Sequence, residues 1–161
     1  MRFVFVDRIA ALDPGRVIET LKNVSSTEDV FNDHFPGCPI LPGALIVEAF
    51  GQASQLLIAV TYGFARVGNL RRLSRASFRR FVRPGDQLRL RCERRDSGEG
   101  VWVVSASAEV AGETAAAATL EFAIERVQVG TDSGARAARL RELVQVLEDG
   151  PLQRAGQGLS R

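Results

Sequence analysis

Residues 33–61 read DHFPGCPILPGALIVEAFGQASQLLIAVT, and this stretch decides the architecture of the chain. It opens on His34, the only histidine in the sequence, and crosses a loop set by Pro36, Gly37, Pro39, Pro42 and Gly43. Pro42 suits the first turn of a helix, where a missing N–H costs nothing. No proline follows until Pro84, so the spacing predicts a helix over 44–60, about 25 Å long. It is apolar nearly all round, which predicts burial on most sides.

Glu48, Gln52 and Gln55 break that apolar surface. They stand four and three residues apart and therefore stack on one helix face. A carboxylate on so apolar a helix is costly unless it is paired or holds a proton. By itself the stripe reads as a structural glutamate hydrogen-bonded to Gln52. A lone histidine beside prolines likewise reads as a loop or core residue.

The combination says more. His34-Phe35-Pro36-Gly37, then Pro39, Pro42-Gly43, Glu48 and Gln52, resembles the active-site motif of the 3-hydroxyacyl-[acyl-carrier-protein] dehydratases of the FabZ type. The separation of fourteen residues from His34 to Glu48 is the family's own. Phe5-Val6-Asp7-Arg8, Lys22-Asn23-Val24, Phe78-Arg79-Arg80 and Pro84-Gly85-Asp86 extend the likeness over roughly residues 3–125. Asp33 stands where the family carries glycine, placing a carboxylate beside the imidazole, where it would raise its pKa.

The resemblance implies an α+β hotdog fold, a curved antiparallel sheet wrapped around a long central helix. It implies an enzyme in which His34 and Glu48 are catalytic, the two coming from different subunits. Gln52 and Phe35 support them, and the Gly43 and Ala44 amides receive the thioester oxygen. A homodimer or a trimer of dimers follows, acting on a substrate held by acyl carrier protein, with no metal and no cofactor. Related dehydratase-isomerases carry aspartate in place of Glu48, so dehydration without double-bond migration is expected. A hotdog thioesterase would use a carboxylate and a helix N-terminus too, but has no use for the histidine. A non-catalytic subunit binding acyl carriers is the other alternative, and the retention of both His34 and Glu48 speaks against it.

Composition agrees. At 161 residues, 45% hydrophobic and 25% charged, one globular domain is the default. Cys38 and Cys92 lie far apart without metal-ligand spacing, which suits a reduced, cytoplasmic protein. Arg2 and Asp7-Arg8 bracket too short an apolar patch for a secretory leader. The 44–60 run falls short of a comfortable membrane span and carries Glu48 near its front.

Along the chain, strands are expected at 3–12 and 16–24, joined by Asp13-Pro14-Gly15, then a short helix over 28–32. Gly63 and Gly68-Asn69 mark a loop after the central helix. Strands follow at 70–83, 87–95, 101–110 and 114–127, although propensity alone makes the alanines at 115–118 helical. The domain is expected to span 1–128. Residues 129–161 then hold a linker over 130–134, an amphipathic helix over 135–148 and a disordered tail.

Net charge is only +2, yet eleven arginines fall between Arg66 and Arg95 against Asp86 and Glu93. Most of them must decorate a solvated sheet face. The stripe has little aromatic interleaving and no recognition motif, so nucleic acid is not the expected partner. Acyl carrier protein is acidic, and a basic rim would steer it. Arg79, Arg80 and Arg83 lead as docking residues, followed by Arg71, Arg72 and Arg75.

Overall fold

The computed structural model describes residues 4–33, 37–96, 98 and 100–148. His34, Phe35 and Pro36, and the expected disordered tail beyond 148, lie outside the described residues. The chain runs β1 (Arg8–Asp13), β2 (Val17–Asn23), α1 (Val30–Asp33), α2 (Gly43–Thr61), β3 (Arg66–Phe78), β4 (Gln87–Asp96), β5 (Val101–Val110), β6 (Glu113–Arg126) and α3 (Asp132–Glu148).

The six strands form one antiparallel sheet in the order β1-β2-β4-β5-β6-β3, with β1 and β3 at its edges. α2 touches β2, β3, β4, β5 and β6, so the sheet curves around it. This is the wrapped-helix fold that the resemblance implies. α2 is long and apolar enough to cross a membrane, but Phe50, Ala53, Leu56, Leu57, Ile58 and Ala59 are instead sealed in the sheet's concave face. Facing them, β5 alternates strictly, burying Trp102, Val104, Ala106, Ala108 and Val110. The alanine run lies in β6, where Ala115, Ala116 and Ala118 are buried. Small side chains there let sheet and helix approach closely, and tertiary packing overrides helical propensity.

Three expectations need correction. Gly68-Asn69 is not loop but lies inside β3. A Cβ on Gly68 would stand 2.6 Å from Ile58 Cδ1, so the strand uses glycine to press against α2. The turn is instead 62–65, where Gly63 and Phe64 both adopt positive φ. Residues 79–83 are not strand. The N–H groups of Arg79 and Arg80 both turn onto the Ala115 carbonyl, at 2.8 and 3.3 Å, which ends the ladder.

The expected linker at 130–134 is built structure. Ser133 is buried, its Oγ accepts from the Gln128 N–H at 3.1 Å, and α3 already begins at Asp132. Gly134 packs so tightly that a Cβ would fall 2.5 Å from the Gln128 carbonyl oxygen. α3 then lies on α2 and on both edge strands, β1 and β3.

The two cysteines occupy opposite environments. Cys38 is exposed; Cys92 is fully buried, its thiol pointing at the Phe50 carbonyl 3.7 Å away. Burial pushes the Cys92 thiol up to about 12, with Ser54 pulling weakly the other way. Titration with a thiol reagent should therefore count one fast thiol in native protein and two in denaturant; a second fast native thiol would contradict this packing. Because the raised thiol keeps its proton only when folded, its contribution to stability should fade as pH rises from 9.0 towards about 12.

Candidate active site at the start of the central helix

The site is built on α2, whose geometry follows from its first residues. Pro42 is the N-cap, with φ −56° and ψ 134°. Its carbonyl accepts from the Leu45 and Ile46 N–H groups at 2.9 and 3.4 Å. No side chain caps the helix, and the N–H groups of Gly43 and Ala44 have no partner among the described residues. Two adjacent donors are thus left free at the positive end of a helix dipole worth roughly half a charge. The preceding loop is tied down where the Leu41 N–H donates to the Val82 carbonyl at 2.8 Å.

Gly43 is glycine for a steric reason. A Cβ there would stand 2.7 Å from Cε1 and 2.8 Å from Cζ of Phe78. The space at the Cα is filled by the Phe78 ring, which is itself half exposed. Phe78 closes β3 and roofs the helix start, a role that sequence reasoning missed because the two residues are far apart in the chain.

One turn further on, the polar stripe forms as its spacing predicts. Gln52 Nε2 donates to Glu48 Oε1 at 2.9 Å, and Gln52 Oε1 accepts from the Phe5 N–H at 2.8 Å. The amide orientation is dictated chemically: a backbone N–H only donates, so the Gln52 oxygen must face Phe5 and its NH₂ must face the carboxylate. Glu48 is held by a group that is itself anchored to the N-terminal segment. Glu48 is exposed, however, which corrects the expectation that an apolar helix would bury it. The sheet does not reach this stripe. Glu48, Gln52 and Gln55 instead form one wall of a half-open cleft of about 680 Å³, faced by α3.

His34 and Phe35 lie outside the described residues, so the structure brings together Glu48, Gln52 and the free Gly43 and Ala44 amides. The expected docking arginines Arg79, Arg80 and Arg83 are all exposed. Arg80 is partly committed, pairing with Glu113 at 2.8 Å. Other arginines of the stripe are accounted for on the sheet face, where Arg89 and Arg91 both pair with Glu19, at 3.0 and 2.6 Å. No cluster suited to a metal ion occurs among the described residues.

Comparison with known proteins places this geometry. The FabA-like domain family matches residues 1–119. A 3-hydroxyacyl-[acyl-carrier-protein] dehydratase FabZ of Symbiobacterium thermophilum is 43% identical over 83% of this chain and 94% of its own length. Its counterpart from Thioalkalivibrio sulfidiphilus is 41% identical over 78% and 89% respectively. Among solved structures, a hot-dog-like protein from Thermanaerovibrio acidaminovorans superposes with a TM-score of 0.62 at 16% identity, covering 81% of this chain and 93% of that one. That last likeness speaks to the fold; the sequence matches, spanning most of both partners, go further, and the chain belongs to the FabZ-type members of the FabA-like hotdog family.

Proposed function

We propose that this protein dehydrates (3R)-3-hydroxyacyl groups on acyl carrier protein to trans-2-enoyl groups in fatty acid or related acyl-chain biosynthesis. The observation that carries the reading is Glu48, held by Gln52 one turn from two uncapped helix amides, fourteen residues after the histidine of an HFPG motif.

The chemistry assigns each group a role. Neutral His34, with an ordinary pKa of about 6.5, takes the proton from C2 of the thioester. Charge gathers on the thioester oxygen, where the Gly43 and Ala44 N–H groups receive it; such donors contribute about 3 kcal/mol. The electron pair then forms the C2–C3 double bond as the C3–O bond breaks. Glu48 gives its proton to the departing hydroxyl, which leaves as water. The imidazolium passes a proton back to the carboxylate, and the site is reset. A thioesterase would leave His34 idle, and nothing in the site favours it.

The exposure of Glu48 in one chain suits a site completed by a second copy. β3 is an edge strand, covered near Gly68 by Arg136 but carrying Leu70, Leu73, Phe78 and Phe81 as large exposed apolar side chains along and just after its remaining length. Pairing two copies through β3 covers that surface in a homodimer, from which a trimer of dimers can grow. Carrier protein docks on the basic rim, with the Arg79 and Arg83 side chains uncommitted among the described residues and Arg80 shared with Glu113. The separate, unpaired thiols suit a cytoplasmic setting.

Following enoyl formation from 3-hydroxyacyl carrier protein tests the reaction. His34→Ala and Glu48→Gln should each lower kcat by roughly 10²–10⁴-fold without unfolding the protein. Unfolding and refolding the two variants together should restore about a quarter of wild-type activity, since half the dimers are mixed and each holds one intact site. No recovery would sink the shared-site dimer. Raising salt from about 50 to about 500 mM should lower kcat/KM for carrier-linked substrate more than for its coenzyme A counterpart. Arg79→Glu with Arg83→Glu should raise KM in the same selective way, and equal effects on both substrates would remove the docking role.

A further inference from the structure

α3 lies wholly beyond the residues matched by the family, yet it is firmly built into the molecule. Ala137, Val144 and Leu147 are buried, and the last two belong to the main core. Arg136 donates through Nη2 to the Gly68 carbonyl at 2.7 Å and through Nη1 to Asn69 Oδ1. Arg141 stacks 4.9 Å over the Phe64 ring. Because α3 touches both edge strands as well as α2, it spans the gap that the curved sheet leaves open.

The flank of α3 turned to the cleft adjoins the packed one, and Leu140 and Leu143 belong to both, since they also pack against the core. Leu140, Leu143 and Val146 recur at helical spacing and, with the charged Arg136, Arg139 and Glu142 beside them, form the wall opposite Glu48, Gln52 and Gln55. Leu140 and Leu143 are only partly buried; Val146 is 64% exposed despite being apolar. The cleft has a direction. Arg136 binds Gly68, and Gly68 abuts Ile58, so Arg136 marks the last turns of α2. From Glu48 to that level is ten residues of helix, about 15 Å.

We propose that α3 is the outer wall of the acyl-chain site, and that Leu140, Leu143 and Val146 set which chain lengths this enzyme accepts. The occupant follows from continuity: Glu48, the group assigned to the C3 hydroxyl, lines the cleft, so an acyl chain extending from C3 runs between α2 and the Leu140, Leu143 and Val146 side chains of α3. That identification of the occupant rests on the dehydratase reading; the place of Leu140, Leu143 and Val146 in the cleft wall does not.

Val146→Trp fills the cleft from an exposed position. Two readouts on the full chain, with the fold checked by circular dichroism, test the wall. One is the ratio of kcat/KM for twelve-carbon over four-carbon 3-hydroxyacyl carrier protein. The other is the calorimetric Kd for dodecanoyl-pantetheine, which needs no turnover. Val146→Trp should lower the ratio about tenfold and weaken the Kd about tenfold. Leu143→Ala, which enlarges the cleft, should move the ratio the other way, and it carries the test if the tryptophan variant does not fold. Unchanged ratio and Kd in a folded variant, or no binding of dodecanoyl-pantetheine by wild type, would overturn the proposal. Wild-type binding that the tryptophan weakens, without turnover of any substrate, would keep the wall and remove the dehydratase reading.

Discussion

The need to cover one apolar helix organises this molecule. α2 cannot meet water along most of its length, and burial of such side chains stabilises by about 25 cal/mol per Å² of apolar surface. Five strands close on it, and their inward side chains are matched to its girth: alanines in β6, a glycine at position 68 where Ile58 presses outward, larger residues on β4 and β5. A six-stranded sheet with β1 and β3 as its edges cannot close completely around a helix. The uncovered strip is where Glu48, Gln52 and Gln55 lie. The position of the polar stripe is therefore a solution to the burial problem before it is anything catalytic.

Much of this could be read from local pattern. Helix 44–60 emerges as Gly43–Thr61, and the segment 101–110 emerges as β5 without change, because apolar periodicity and flanking turns act within a few residues. The misreadings share a cause. Gly68 looks like a loop residue until Ile58, ten residues away, is seen to need the space. The 79–83 segment has strand composition, but the Ala115 carbonyl draws two of its N–H groups out of register. The GTDSG run looks like a linker because its small polar residues are turn formers; here Ser133 and Gly134 are small because they pack against Gln128. In each case the deciding partner is distant or its contact is steric, and composition carries neither.

The site divides along the same line. The Glu48–Gln52 hydrogen bond follows from an i, i+4 spacing and was legible. Its anchor was not: Gln52 is fixed by the backbone of Phe5, a contact across 47 positions that involves no distinctive side chain. The exposure of Glu48 was also hidden, because apolar neighbours along a helix say nothing about whether a sheet reaches that face. Phe78 over Gly43 belongs to this class as well, a ring supplied by an edge strand to the first turn of the helix.

These long-range contacts determine how well the site is held. Groups on a helix inside a packed core keep their geometry because moving them means moving the core. Glu48 inherits that rigidity from α2 and a fixed orientation from Gln52, while the Gly43 and Ala44 amides inherit it from a loop bound to Val82. α3 extends the same logic to the far side of the cleft. It contributes Val144 and Leu147 to the core and packs Leu143 against it, so the adjoining flank, with Val146, cannot shift without disturbing the packing beneath it. A wall fixed in this way can discriminate between chain lengths, whereas a loosely attached tail would yield to any occupant. The burial that completes the fold is thus what gives the cleft a definite size.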